Sequence, residues 1–413
     1  MNSPAMTVSA RRNLGLLIAA QSLGAASAPI IISLGGIVGQ MLASRPALAT
    51  LPVSLYSLGL ALSTLPAAFL MRRLGRRVAY VLGALLAVVS GGVAAIGIVQ
   101  GSFLLFCLGT ALAGYYGANV QSYRFAAADT VAPPLRAQAI SLIMIGGLVA
   151  AVIGPQAVIW TRDAWPGAPF AGSFAAQAVL ALLALPLLLV LRMPKETGLV
   201  HATGADGSKE ANARARSLGQ IARNPRFIVA VSAGVVSYGL MAFIMTAAPM
   251  AMVGCGHTVG EAALGIQWHV LAMFAPSFVT GSLITRFGKT QVTAVGLVLI
   301  AASGLLALAG LELLHFWGAL VLLGVGWNFG FIGATALLTD VYRQENAAER
   351  AKVQAFNDFL MFGVVAVASF ASGSLLGSAG WNVINALMLP LIAAVLVLLA
   401  WGARMNRQLQ RPV

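Results

Sequence analysis

The sequence predicts an all-α integral membrane protein, with twelve membrane-spanning helices in two pseudo-symmetric halves of six. Three observations lead to this fold class. Of the 413 residues, 59% are hydrophobic and only 9% are charged, whereas a soluble domain carries about 25% charged residues. The apolar residues fall into twelve runs of the roughly 20-residue length that crosses a bilayer. A short basic turn in the first half recurs in the second half, which indicates that the halves are related.

The first basic turn has the sequence Phe-Leu-Met-Arg-Arg-Leu-Gly-Arg-Arg and ends at Arg77. Its arginines cannot lie in lipid, so the turn is predicted to be a wet connection between two membrane helices. The glycine allows the chain to reverse tightly there. The second copy lies 213 positions later, and the matched pairs are Arg73 with Arg286, Gly75 with Gly288, and Arg76 with Lys289.

The apolar runs give the predicted bounds of the spans. In the first half they are 14–42, 49–71, 78–99, 102–126, 137–160 and 169–191. In the second half they are 227–253, 261–285, 291–311, 316–338, 352–376 and 381–403. The predicted organisation is therefore a first half at 1–192, a polar linker with one short surface helix at 193–226, and a second half at 227–413.

The positive charges predict the orientation. Of the 25 lysines and arginines, Arg45 and Arg162 fall on one side, Arg124 lies within a span, and the other 22 fall on the opposite side. Since cationic loops stay in the cytoplasm, both termini are predicted to be cytoplasmic, in a multi-pass protein of the cell inner membrane. The net charge of +14 is thus a topology signal. It does not indicate a nucleic-acid partner.

The repeated turn resembles the signature loop between helices two and three of the major facilitator superfamily, roughly Gly-x-Leu-x-Asp-Arg-x-Gly-Arg-Arg. The aspartate of that pattern is replaced by Arg72 in the first copy and by Thr285 in the second. The resemblance implies a secondary transporter in which helices 1, 2, 4, 5, 7, 8, 10 and 11 line a central cavity. It also implies alternating access by rocking of the two halves.

The resemblance further implies a network of charges that latches the cytoplasmic helix ends in one conformational state. Acids follow the fourth and tenth spans, close to the basic turns if the halves fold alike. The alternative is that these charges only set the topology. The predicted gating residues are Arg73, Gly75, Arg76, Asp129, Arg136, Arg286, Gly288, Lys289, Asp340 and Arg350.

Asp358, Arg124 and His269 lie inside predicted spans. Asp358 is the one acid of this kind, and insertion of an aspartate costs roughly 2.5–3.5 kcal/mol, so we expect it to face water, a partner or a cavity. We predict that Asp358 or His269 transfers protons. Binding of a substrate cation is the other function that the position of Asp358 allows. Arg124 is predicted to anchor an anionic group. The alternatives are that the two charges reach the interface, and that the histidine bonds to a neighbouring helix.

Neutral polar and aromatic residues concentrate in the spans that the resemblance assigns to the cavity. Tyr116, Asn119 and Tyr123 share one helical face by their i, i+3, i+7 spacing. Single amides in membrane helices also join helices together, so that interpretation stays open. The predicted substrate-binding set is Tyr116, Asn119, Tyr123, Arg124, Tyr238, Trp327 and Asn328.

We therefore predict a proton-coupled secondary transporter of a small organic solute, with efflux by proton antiport as the leading hypothesis. Gly154-Pro155 in the fifth span is distantly similar to a glycine-rich antiporter motif, although a kinked, closely packed helix also explains it. The alternatives are uptake of an anionic or aromatic nutrient, such as a vitamin or metal chelate, by proton symport, and a non-transporting receptor or scaffold. We expect no enzymatic activity and no metal or cofactor, because no Walker loop, nucleophile elbow or metal-ligand spacing is present. We also expect a monomer whose partners are the solute, protons and membrane lipid.

Overall fold

The computed structural model describes residues 7–132, 135–193, 216–341 and 347–409, and these segments are almost entirely helical. The helices of the first half are Val8–Gly24, Ser27–Leu42, Leu51–Leu74, Arg76–Val99, Phe103–Asp129, Arg136–Thr161 and Ala171–Val190. Those of the second half are Pro225–Gly254, Val259–Phe274, Ser277–Phe287, Lys289–Ala309, Leu313–Leu338 and Ala347–Leu409. A 3₁₀ turn at Pro46–Leu48 and a short helix at Leu218–Ala222 complete the set.

These helices supply twelve spans in the described residues. Ten helical segments are long and apolar enough to cross a membrane, and a bent pair in the second half makes an eleventh. The last segment contains Gly380 with φ 80°, a left-handed conformation that separates two helices at 347–379 and 381–409. Counting that segment as two gives the predicted twelve, numbered below in chain order. The short helix Leu218–Ala222 lies within the predicted linker, most of which is outside the described residues.

Two spans are broken at prolines, which the sequence analysis did not anticipate. The first span is interrupted at Ala25 and Ala26, which lie four and three residues before Pro29. The eighth bends by 43° at Pro276. Proline has no N–H to donate to the carbonyl four residues earlier, so the helical hydrogen-bond ladder opens there. In the eighth span Asn328 supplies hydrogen bonds at the bend. Its Nδ2 donates to the Met273 carbonyl at 2.6 Å and to Ser277 Oγ at 2.6 Å.

The two basic turns have the same backbone conformation. Gly75 has φ 80° and ψ 155°, and Gly288 has φ 91° and ψ 153°. A side chain is strained at such positive φ values, which explains why glycine recurs at both turns. The matched conformations support the interpretation of the turns as a repeat.

Each half has its own core, and the halves meet along three pairs of helices. Spans 1 and 7, spans 2 and 11, and spans 5 and 8 make the main contacts between them. We call the end of the bundle with the two basic turns the basic end, and the end with Arg45 and Arg162 the far end. At the far end, Ile37, Ala49 and Met250 form a small apolar cluster across the halves.

The far end is also joined by polar contacts between the halves. Thr50 Oγ1 donates to the Phe370 carbonyl at 3.1 Å, linking spans 2 and 11. Gln156 Nε2 donates to Gln267 Oε1 at 3.1 Å, linking spans 5 and 8. The halves are therefore in contact at the far end, and the space between them lies toward the basic end.

Candidate functional site

The central space between the halves consists of two connected chambers. The inner chamber has a volume of about 230 Å³, and the outer chamber one of about 660 Å³. The outer chamber extends to the basic end, where Arg76 and Met71 line it. We call the zone that lines both chambers the waist; its residues are Gln21, Gln121, Met144, Tyr238, Phe274 and Phe362.

The second half contributes an aromatic wall. At the waist this wall consists of Tyr238, Phe274 and Phe362, and in the outer chamber it continues with Trp327 and Phe331. The Trp327 and Phe331 rings are stacked with centroids 5.1 Å apart, and the Tyr238 centroid lies 5.4 Å from each of them. Such a wall offers a large, rigid surface to a flat apolar or aromatic ligand.

The first half contributes two amides to the opposite side of the waist. Gln21 lies in the last turn of the helix that precedes the break in the first span, and Gln121 lies on the fourth span. Gly146 of the fifth span makes room for Gln21, since a β-carbon there would lie 2.8 Å from the Gln21 Cβ. Gly154 is similarly close to Pro29, at 2.9 Å. These contacts support the close-packing interpretation of the glycines in the fifth span.

Arg124 and Asp358 are the charged residues of the outer chamber besides Arg76, among the described residues that line it. Asp358 accepts a hydrogen bond from Asn357 Nδ2 at 3.0 Å. The Arg124 guanidinium lies over the Phe125 ring, 4.8 Å from its centroid, and interacts electrostatically with Asp358 and Tyr238. The structure therefore places both predicted charges on the cavity.

Three of the predicted substrate-binding residues lie away from the cavity. Tyr116, Asn119 and Tyr123 share one helical face, as predicted, but that face is buried in the core of the first half. Tyr123 packs edge-on against Tyr80 with centroids 4.7 Å apart. The cavity face of the fourth span is the neighbouring one, which carries Gln121 and Arg124.

Two residues predicted for the site join helices together. Asn328 is fully buried at the bend of the eighth span, and Thr280 Oγ1 also donates to its Oδ1. His269 is buried too, with Nδ1 2.7 Å from the Leu320 carbonyl. A carbonyl can only accept, so Nδ1 has the proton and the contact links spans 8 and 10. Neither residue is among those lining the two chambers, which favours the helix-bonding alternative for both.

The basic end contains two matching ion pairs, one in each half. Arg76 Nη2 lies 2.7 Å from Asp129 Oδ2, and Lys289 Nζ lies 2.7 Å from Asp340 Oδ1. Each pair joins a basic turn to the end of the fourth or tenth span of its own half. The charges that recur in the two halves therefore form ion pairs within each half, close to the basic turns as the sequence indicated.

The other predicted gating residues occupy the same end of the bundle. Arg73 lies over the Phe69 ring and Arg286 over the Phe287 ring. Arg136 is exposed at the first residue of the fifth span, and Arg350 lies in the first turn of the eleventh. The gating role of the whole set stays a prediction.

The Arg76–Asp129 ion pair tests the gating role more sharply than Arg73 does, because Arg73 lies over the Phe69 ring. Arg76→Glu or Asp129→Arg is expected to slow transport, and the double exchange is expected to restore it. The side chains are 19% and 42% exposed. A pair this exposed changes the free energy of unfolding by at most about 1 kcal/mol. The measurement is initial transport rate beside thermal unfolding, with Asp163→Asn at the far end as control. Unchanged rates in both single variants would leave these charges as topology signals only.

Comparisons with known proteins agree with this architecture. The family model of the Major Facilitator Superfamily matches residues 14–349. The chain is 62% identical over 391 residues to Riboflavin transporter RfnT of Brucella anthropi, covering 94% of this chain and 95% of that protein. It is 32% identical over 379 residues to Uncharacterized MFS-type transporter YdeG of Bacillus subtilis, covering 89% and 85%. The solved structure of the POT family transporter PepTSo matches with a TM-score of 0.70 and 14% identity, covering 97% of this chain and 99% of that one.

A twelve-span helical bundle with a cavity between two halves defines a multi-pass membrane transporter of the secondary type. The chain belongs to the major facilitator superfamily. It is a transporter and not an enzyme, as the sequence analysis predicted. The aromatic wall includes Tyr238 and Trp327 of the predicted substrate-binding set. The predicted set did not include the other residues of the wall, which are Phe274, Phe331 and Phe362, or the two waist glutamines.

Proposed function

We propose that this protein transports riboflavin, and that it works in the direction of uptake. The supporting observation is a cavity with an aromatic wall on one side and amides on the other, in a chain 62% identical to a riboflavin transporter over nearly its whole length. Riboflavin has a flat three-ring system with polar edges and a polyol chain, so it needs both kinds of surface. This proposal follows the vitamin-uptake alternative of the sequence analysis rather than efflux.

The proposed orientation makes the basic end cytoplasmic, with both termini inside and the protein in the inner membrane. The 22 cations on one side support it through the positive-inside rule. In this orientation the structure is an inward-facing state, since its far end is closed and its cavity extends to the basic end. The working unit in the proposal is a monomer, because the cavity is built entirely from the two halves of one chain.

Proton coupling is the second part of the proposal, with Asp358 as the proton carrier. A carboxyl group on the wall of a cavity that opens alternately to two sides can take up a proton on one side and release it on the other. Arg124 has the opposite charge in the same chamber and interacts electrostatically with the ionised carboxyl group of Asp358.

The proposed function is tested by expressing the protein in bacteria that cannot synthesise riboflavin. Cells with the protein are expected to grow on a low external riboflavin concentration and to accumulate radiolabelled riboflavin faster than cells with the empty vector. The protein with an oxidised disulfide between cysteines introduced at positions 50 and 373, at the far end, is the matched inactive control. Slower accumulation with the protein present would identify efflux, and identical accumulation would contradict riboflavin transport.

A further inference from the structure

The waist has two chemically different sides, and this difference determines how a flat ligand can lie in it. The second half presents the faces and edges of Tyr238, Phe274 and Phe362. The first half presents the terminal amides of Gln21 and Gln121 beside Met144. A planar ring can therefore pack against aromatic surface on one side while its polar edge meets amides on the other.

Gln21 lines both chambers and has a polar group without a partner among the described residues. Its side chain is only 9% exposed, and its stem packs beside Gly146. The Oε1 atom is buried and makes no hydrogen bond within the part of the chain that the structure describes. A buried amide oxygen without a partner costs free energy in the empty site. A rotation of the Gln21 side chain that brings this oxygen to a donor on a ligand recovers that cost.

A primary amide is complementary to an imide. The pyrimidinedione edge of a flavin presents an N–H group between two carbonyl groups. A glutamine can accept from that N–H through Oε1 and donate to one carbonyl through Nε2, which gives two parallel hydrogen bonds. Gln121 lies on the fourth span and lines both chambers. It can donate to the second carbonyl group of the flavin imide.

We propose that Gln21 and Gln121 recognise the imide edge of the flavin ring, while the aromatic wall packs against the ring itself. This inference rests on the proposed riboflavin transport and adds the part of the molecule that determines specificity. The ring edge is recognised at the waist, and the ribityl chain extends into the outer chamber. The protein then selects ligands mainly by the intact imide group of the ring and less by the ribityl chain.

Two riboflavin analogues separate these contributions. N3-methylriboflavin keeps the ribityl chain but replaces the imide N–H with a methyl group. Lumiflavin keeps the imide edge but has only a methyl group in place of the chain. Each is tested as a competitor of radiolabelled riboflavin uptake and, independently, as a stabiliser of the purified protein in thermal unfolding. Lumiflavin is expected to compete within a few-fold of riboflavin, and N3-methylriboflavin at least about tenfold more weakly, because it leaves buried amide groups unpaired.

Substitutions at the waist provide a second test of this proposal. Gln21→Ala and Gln121→Ala are expected to weaken riboflavin binding by about tenfold and to reduce the discrimination against N3-methylriboflavin. Gln138→Ala, on the exposed start of the fifth span and away from both chambers, is the matched control. Equal competition by riboflavin and N3-methylriboflavin in the unsubstituted protein would overturn the inference while leaving riboflavin transport intact. A failure of riboflavin itself to bind or be transported would overturn the proposed function, and this inference with it.

Discussion

Asp358→Asn is expected to abolish riboflavin accumulation driven by a pH gradient, while exchange of riboflavin at equal pH continues. The substitution keeps the shape of the side chain and its contact with Asn357, but removes the group that gains and loses a proton. One pH unit corresponds to about 1.4 kcal/mol, so one proton per solute supports about tenfold accumulation. Liposomes with the unsubstituted protein should approach that ratio, and the variant should reach only equilibration.

The measurement is riboflavin accumulation in liposomes with an imposed pH gradient and no membrane potential. Asp163→Asn is the matched control, because Asp163 pairs with Arg162 at the far end, outside the cavity. If Asp358 instead only holds helices together by its interaction with Arg124, the variant should lose thermal stability. In that case the exchange Arg124→Asp with Asp358→Arg should recover it. Full accumulation by a well-folded Asp358→Asn protein would exclude Asp358 as the proton carrier.

A disulfide between positions 50 and 373 is expected to stop transport completely and reversibly. These positions lie at the far end, where spans 2 and 11 hold the two halves together. A β-carbon on Gly373 would lie 2.9 Å from the Thr50 Cβ, within about 1 Å of the usual disulfide separation. Since the halves must separate there for the cavity to open to the far side, a covalent link traps the present state.

The experiment uses Thr50→Cys with Gly373→Cys in a background where the exposed Cys255 is replaced by serine. Oxidation should reduce riboflavin transport to the background rate, and a reductant should restore it. Riboflavin should still stabilise the cross-linked protein, because the cavity remains open at the basic end. The single Thr50→Cys variant controls for the loss of the hydrogen bond to Phe370. Undiminished transport by fully cross-linked protein would contradict alternating access between these halves.

The fold was predictable because membrane insertion constrains the sequence strongly. Each span needs an apolar run, each wet turn needs charge, and Gly75 and Gly288 need positive φ values. The breaks within the first and eighth spans were not predicted. Pro29 and Pro276 were visible, but apolar length alone does not show where a helix loses its hydrogen-bond ladder.

The charged residues of the site were easier to predict from the sequence than the neutral residues of the cavity wall. Asp358 and Arg124 line the cavity because a charge inside a span must find water or a partner. Tyr116 and Tyr123 lie on a buried face of the fourth span, where Tyr123 packs against Tyr80. The sequence does not show which face is buried, because both faces of that span have polar groups. Phe274 and Phe362 gave no signal, because a phenylalanine on a cavity wall and one in contact with lipid look alike in sequence.

Riboflavin counterflow measures whether riboflavin crosses the membrane through this cavity. Purified protein is placed in liposomes loaded with unlabelled riboflavin, which are then diluted into a trace of labelled riboflavin at equal pH. We expect a transient accumulation of label, which the oxidised 50–373 cross-link prevents and a reductant restores. Absence of label entry with folded, uncross-linked protein, or entry that continues through the cross-linked form, would contradict it.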